Sequence, residues 1–182
     1  MTNIEFWTAL SAVAGLAYCV ITAVTLIFLG IQLREARRYT LAQFVYQLGK
    51  EFEAFDDALR PLLSQDPDRK GLELQIGRCL QFFERTKTLC DIGVLELKIL
   101  DAMFGYQFFY LVNDLWVQRE VLFGDPHYFP EVFALHHQLS DYHRKLGLEI
   151  PGASNDLALA NPPRYEKNLA LYQAKRVRSL SA

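Results

Sequence analysis

From Phe6 to Leu33 no charged side chain interrupts the sequence, and Arg34, Arg37 and Arg38 follow at once. The uncharged run is about 28 residues long, and roughly 20 apolar residues cross a bilayer as a helix. In hydrocarbon the backbone must satisfy its own polar groups, so a single span is helical. Phe6 and Trp7 suit one headgroup interface, and the three arginines mark the opposite side. Only Glu5 precedes the run, and no Lys or Arg does. The positive-inside rule then places the N-terminus outside and the rest of the chain in the cytoplasm. A cleaved signal peptide needs a basic leading region and a shorter apolar core, and this segment has neither.

Beyond the arginines, apolar residues recur at helical spacing. Leu41, Val45, Leu48, Phe52, Phe55 and Leu59 step by four and three, a heptad-like seam. The pattern predicts that the first helix continues until Pro61 ends it. Residues 64–71 read as a loop. A second helix is predicted over 72–91, with Ile76, Cys79, Leu80, Phe83 and the stem of Lys87 on its apolar face. Gly93 marks a turn. A third, aromatic helix runs from about Leu95 to Leu122, and Gly105 either interrupts it or allows close contact. Gly124 and Pro126 end it. Pro130 opens a fourth helix that closes near Gly147. Loops at 150–155 and 161–163 precede a last helix over 163–177. No segment alternates with period two. The expected class is all-α, an N-terminal transmembrane helix continuing into a small cytoplasmic helical bundle. The expected organisation is a transmembrane segment 1–33, a cytoplasmic helical domain 34–148, and a loop with a basic helix over 149–182.

Net charge is −2 and there are three cysteines. Near-neutral charge implies no nucleic-acid partner. An odd cysteine count without framework spacing argues against a disulfide scaffold.

Within the span, Ser11, Gly15, Cys19 and Ala23 repeat every fourth residue. Small residues at this spacing let helices approach closely, so this line is a candidate association face and the chain is expected to form a homo-oligomer. A second line, Ser11, Gly15, Tyr18, Thr22, Thr25 and Gln32, collects most of the polar atoms. Arg34, Arg37 and Arg38 are the membrane-flanking basic residues. The chemistry-bearing candidates are fewer. Glu84 stands beside the apolar face of the second helix, where a buried carboxyl would titrate high or join a structural network with Arg85, Tyr106, Tyr110 or Asn113. His127, His136, His137 and His143 lack the convergent spacing of a zinc site. Lys175, Arg176 and Arg178 could lie on an anionic leaflet. No nucleophile motif or phosphate loop appears, so neither an enzyme nor a cofactor is expected.

The juxtamembrane stretch Gln32-Leu-Arg-Glu-Ala-Arg-Arg38, Phe82-Phe-Glu84, the turn at Gly93, Phe104-Gly105 and Trp116 together resemble a bacterial family of uncharacterised, single-pass, membrane-anchored helical proteins, a domain of unknown function. The resemblance covers roughly Leu26 to Leu146 and implies an inner-membrane protein with a cytoplasmic helical domain. Its residues are packing residues, so it carries no catalytic group. The function expected is scaffolding, sensing or interaction, with the lipid bilayer and a cytoplasmic protein or small ligand as partners. The alternative is a membrane-perturbing effector of a bacterial defence or toxin system that oligomerises through its transmembrane helix.

Overall fold

The structure is a computed structural model that describes residues 3–55, 72–124 and 129–180; of the first seventeen side chains it describes only Gly15. Among the described residues every regular element is helical. The chain divides into two compact units, Met1–Leu48 and Gly49–Ala182. Helix α1, Asn3–Glu53, runs unbroken through the boundary.

In the first unit α1 carries no charged residue between Tyr18 and Leu33, and every position there is exposed. Val20, Ile21, Val24, Leu26, Ile27, Phe28, Leu29, Ile31 and Leu33 are all exposed. The helix is long and apolar enough to cross a membrane, with mean hydropathy 1.6 over its best window and 0% of that window buried. Its hydroxyls are satisfied locally. Thr22 donates to the Tyr18 carbonyl at 2.8 Å and Thr25 to the Ile21 carbonyl at 2.8 Å. That bonding removes the demand for water or a partner that a bare hydroxyl would make in hydrocarbon.

In the second unit, α2 is Glu73–Asp91, α3 Leu97–Leu100, α4 Tyr106–Val112, α5 Pro130–Leu146, α6 Leu157–Ala160 and α7 Pro162–Leu180. Helix α5 packs against both α2 and α7. The centre is aromatic. Phe52 at the end of α1 meets Phe104 at 4.8 Å between centroids, Phe82 stands edge-on to Phe104 at 5.4 Å, and Phe83 meets Phe108 at 4.9 Å. Such tilted and edge contacts are the favoured geometry for buried rings.

Two predicted stops are built as the sequence implies. Gly93 (φ +73°) and Gly147 (φ +66°) adopt the left-handed conformation that closes a helix cheaply only for glycine. After each, two backbone N–H groups turn back, Val94 to Leu89 and Gly93 to Cys90, then Leu148 to His143 and Gly147 to Arg144. Pro130 opens α5, and His143, Arg144 and Lys145 crowd its last turn, as the helix dipole favours.

Three expectations need correction. Helix α1 ends at Glu53, before Pro61, because the chain turns there and lets Phe52 and Phe55 close on Phe82. The third helix is not continuous. Its π-helical turns Asp101–Gly105 and Val117–Leu122 flank a break at Asn113 and Asp114. Asp114 Oδ1 caps the restart by accepting from the Trp116 and Val117 N–H groups. Lys87 buries its ammonium as well as its stem. The expected loop at 64–71, Leu59, Pro126 and His127 lie outside the described residues.

Helix α7 begins at Pro162 and belongs to the same compact unit as α2 and α5. Asn113 and Gln118 fasten the connection that leads to it. Asn113 donates to the Pro151 carbonyl and accepts from the Leu157 N–H, and Gln118 donates to the carbonyls of Val112 and Asn155.

Candidate functional site

Glu84 follows two buried phenylalanines on α2 and sits half-buried at the edge of the core. Its partner is none of the four residues expected from the sequence but Glu131, in the first turn of α5. Glu131 acts on Glu84 through its side-chain hydrogen bond and like charge, which favour a proton on Glu84, while its backbone hydrogen bond opposes this. Burial, then the hydrogen bond and charge of Glu131, push the Glu84 carboxyl up to about 8. Burial also raises Glu131, but donation from Glu84 and Lys175 outweighs it and holds this carboxyl below its ordinary value. Lys175 of α7 donates to Glu131 Oε1, so three helices meet at one carboxyl–carboxylate–ammonium cluster.

The cluster opens into a cleft of about 520 Å³. Phe129, Pro130, Leu171 and Ala174 supply apolar lining, and Gln81 and Arg178 complete it. Phe129 has φ +67° and ψ +41°, a left-handed conformation that a bulky side chain rarely takes. Strain of this kind costs on the order of 1–3 kcal/mol and collects where structure serves a site. Glu131, Lys175 and Phe129 were not legible as site residues. The one available signal was an acidic residue directly after a helix-opening proline.

Other buried polar groups are paired, although His136 Nε2, Ser140 Oγ and Asn168 Oδ1 have no hydrogen-bond partner among the described residues. Lys87 donates to Asp91 and, at 2.6 Å, to the Tyr172 hydroxyl, which donates to Asp91 Oδ2 at 2.5 Å. Burial pushes the Lys87 ammonium below its ordinary value, and Asp91 opposes this. His136 Nδ1 meets the Tyr165 hydroxyl at 2.9 Å, and burial pushes this imidazole down to about 4. His143 Nε2 lies 2.7 Å from Asp101 Oδ1 and its Nδ1 3.2 Å from the Glu149 carbonyl. Ser140, three residues earlier on α5, is buried, and its hydroxyl has no hydrogen-bond partner among the described residues. His137 pairs at the surface with Asp141 at 3.5 Å. Among the described residues no group of three metal-ligating side chains converges.

Gly15, Cys19 and Ala23 lie exposed on α1, and no atom would come within 4 Å of a Cβ on Gly15. The side chain of Ser11 is outside the described set. Arg34, Arg37 and Arg38 are exposed on the same helix.

Two predictions arise here. A Cβ on Gly105 would stand 2.2 Å from Asp101 Oδ1. Gly105→Ala therefore swings Asp101 off His143, at a cost of about 1.5–3 kcal/mol for a charge-assisted hydrogen bond, readable by urea unfolding. The second concerns pH. A carboxyl raised to about 8 binds more protons folded than unfolded, so its contribution to stability is full in acid and lost as pH rises to 8. An imidazole lowered to about 4 binds fewer protons folded, so its contribution is lost as pH falls from 6.5 to 4. Thermal melts are expected to lose their alkaline decline in Glu84→Gln while keeping the acidic one.

No family model, curated protein or solved structure matches the chain.

Proposed function

We propose that this protein is a single-pass, membrane-anchored, non-enzymatic interaction module. Its helical bundle faces the cytoplasm from the inner membrane of a bacterium and takes a ligand or partner there. One observation carries the reading: α1 is uncharged, mostly apolar and exposed at every position between Tyr18 and Leu33. A core helix of a water-soluble protein hides one face, and a helix that is apolar all round needs an apolar surrounding. The arginines at 34, 37 and 38 supply the orientation. The cleft at Glu84 and Glu131 suits recognition, since it holds perturbed carboxyl groups and no activated nucleophile.

Self-association through Gly15, Cys19 and Ala23 belongs to the same proposal. These positions are open on α1, and small residues four apart allow close helix contact. Gly15→Ile is expected to reduce the particle mass measured in lipid nanodiscs, and an unchanged mass counts against association by this face.

Protease protection tests the orientation. With the full-length chain in a bacterial membrane, the bundle is expected to resist protease in intact spheroplasts and to be digested in inverted vesicles. Digestion in spheroplasts would reverse the topology.

A further inference from the structure

We propose that the juxtamembrane turn of α1 binds the headgroup of an anionic phospholipid, with Arg34, Arg37 and Arg38 on its phosphate and an acyl chain along Ile27 and Ile31. The inference rests on reading α1 as a membrane span and deepens it by naming the class of lipid that the span selects.

Helical spacing places these residues together. Helix α1 runs without a break from the uncharged stretch through the arginines. At about 100° per residue, Arg37, Arg34 and Arg38 fall within an arc of about 100° on one side of the helix. Arg34 and Arg38 stand about 6 Å apart along the axis, close enough for two long side chains to meet on one phosphate. The same stripe continues towards the N-terminus through Ile31 and Ile27, by steps of three and four. Both isoleucines are exposed. One face of α1 therefore carries apolar surface and then guanidinium groups, in the order in which a phospholipid presents its chains and its phosphate.

The charge decides the kind of headgroup. Arg34, Arg37 and Arg38 are exposed, and among the described residues none of them is held in an ion pair. Glu35 is the one acidic residue between Leu33 and Lys50, so the juxtamembrane turn keeps a net positive charge. Glu35 lies about 60° beyond Arg38 around the helix, outside the arc of arginines. A zwitterionic lipid brings its own cation to this level and leaves that charge unanswered, whereas an anionic lipid answers it. Guanidinium suits the phosphate because it offers paired N–H donors in a fixed plane. Beside Arg38, a hollow of about 400 Å³ is lined by Glu35, Arg38, Tyr39 and Ala42 and leaves room for the rest of the headgroup. Tyr39 is exposed and sets an amphipathic ring at headgroup depth. The basic residues of α7 are differently placed, since Lys175 is bound to Glu131 and Arg178 lines the cleft.

The test is spin-label resonance on the full-length protein reconstituted in phosphatidylcholine vesicles. The probes are phosphatidylglycerol and phosphatidylcholine, each labelled on an acyl chain. The share of each label slowed by contact with protein gives their relative association constants. At low salt phosphatidylglycerol is expected to be favoured at least about threefold, and high salt is expected to erode the preference. Arg34→Gln combined with Arg37→Gln and Arg38→Gln is expected to abolish the preference and leave the slowed share of phosphatidylcholine unchanged. All three side chains are exposed, so the substitution removes no packing contact. Lys167→Gln with Arg176→Gln, at exposed positions on α7, is expected to leave the preference intact. Equal association of the two lipids, or a preference that survives the triple substitution, overturns the inference and leaves α1 a membrane span. Loss of the preference in the α7 variant also overturns it, since the lipid then binds elsewhere. Absence of any slowed label contradicts the span itself and the inference with it.

Discussion

Val20→Arg combined with Val24→Arg is expected to release the protein from membranes. Both residues stand in the middle of the uncharged run on α1, and both are exposed. Substitution therefore removes no packing contact within the chain, and the effect reports the surroundings of the helix. Each arginine at the centre of a span costs about 2.5–3.5 kcal/mol of insertion free energy. Together they cost about 5–7 kcal/mol, if the two add, which is enough to empty the inserted population. The readout is the share of protein that sediments with membranes. Val20→Leu with Val24→Leu is the control, expected to sediment as the wild type does. A double-arginine variant that still sediments fully would mean that something other than this helix holds the protein there.

The second large effect lies in the bundle. Lys87→Ala is expected to cost about 3–5 kcal/mol, because it removes one partner of a buried ion pair and leaves the other uncompensated. The Lys87 side chain is fully buried, and its ammonium is held by Asp91 and the Tyr172 hydroxyl. Its position 4.7 Å from the centroid of the Tyr172 ring adds a cation–π contact. Without the cation, the half-buried Asp91 keeps the Tyr172 hydroxyl as its donor. Asp91→Asn is expected to cost less, since Asp91 is the more exposed partner and the asparagine carbonyl still accepts from Lys87. Urea unfolding of the full-length protein in detergent, followed by circular dichroism, separates the two. A loss below about 1 kcal/mol for Lys87→Ala would place the pair among weak surface ion pairs.

Elements that rest on local chemistry were legible in the sequence. The uncharged run, the helix-closing Gly93 and Gly147, and the helix-opening Pro130 each act through their own residue or near neighbours, and each stands where the pattern put it. What was not legible depends on contacts far apart in the chain. The early end of α1 follows from Phe52 and Phe55 closing on Phe82, about 30 residues away in sequence. The π-helical turn at Asp101 accompanies a carboxylate that folds over Gly105 to reach His143. Nothing in the local pattern near Asp101 announces a histidine on α5. The candidate site behaves the same way. Glu84 stood out as a carboxyl beside an apolar face, but its hydrogen-bonding partner comes from α5 and the capping ammonium from α7. Lys175 was read as one of a basic group suited to a lipid surface, and in the fold it neutralises Glu131.

Membrane anchoring by α1 is the claim on which the proposed role turns. The most direct measurement is the share of full-length protein that stays with the membrane pellet after an alkaline carbonate wash, beside a version that starts at Ala36. The account predicts that nearly all of the full-length protein stays and that the shortened version washes off. Full-length protein in the supernatant would contradict it, because a helix buried in lipid survives such a wash and one lying in water or on another protein does not.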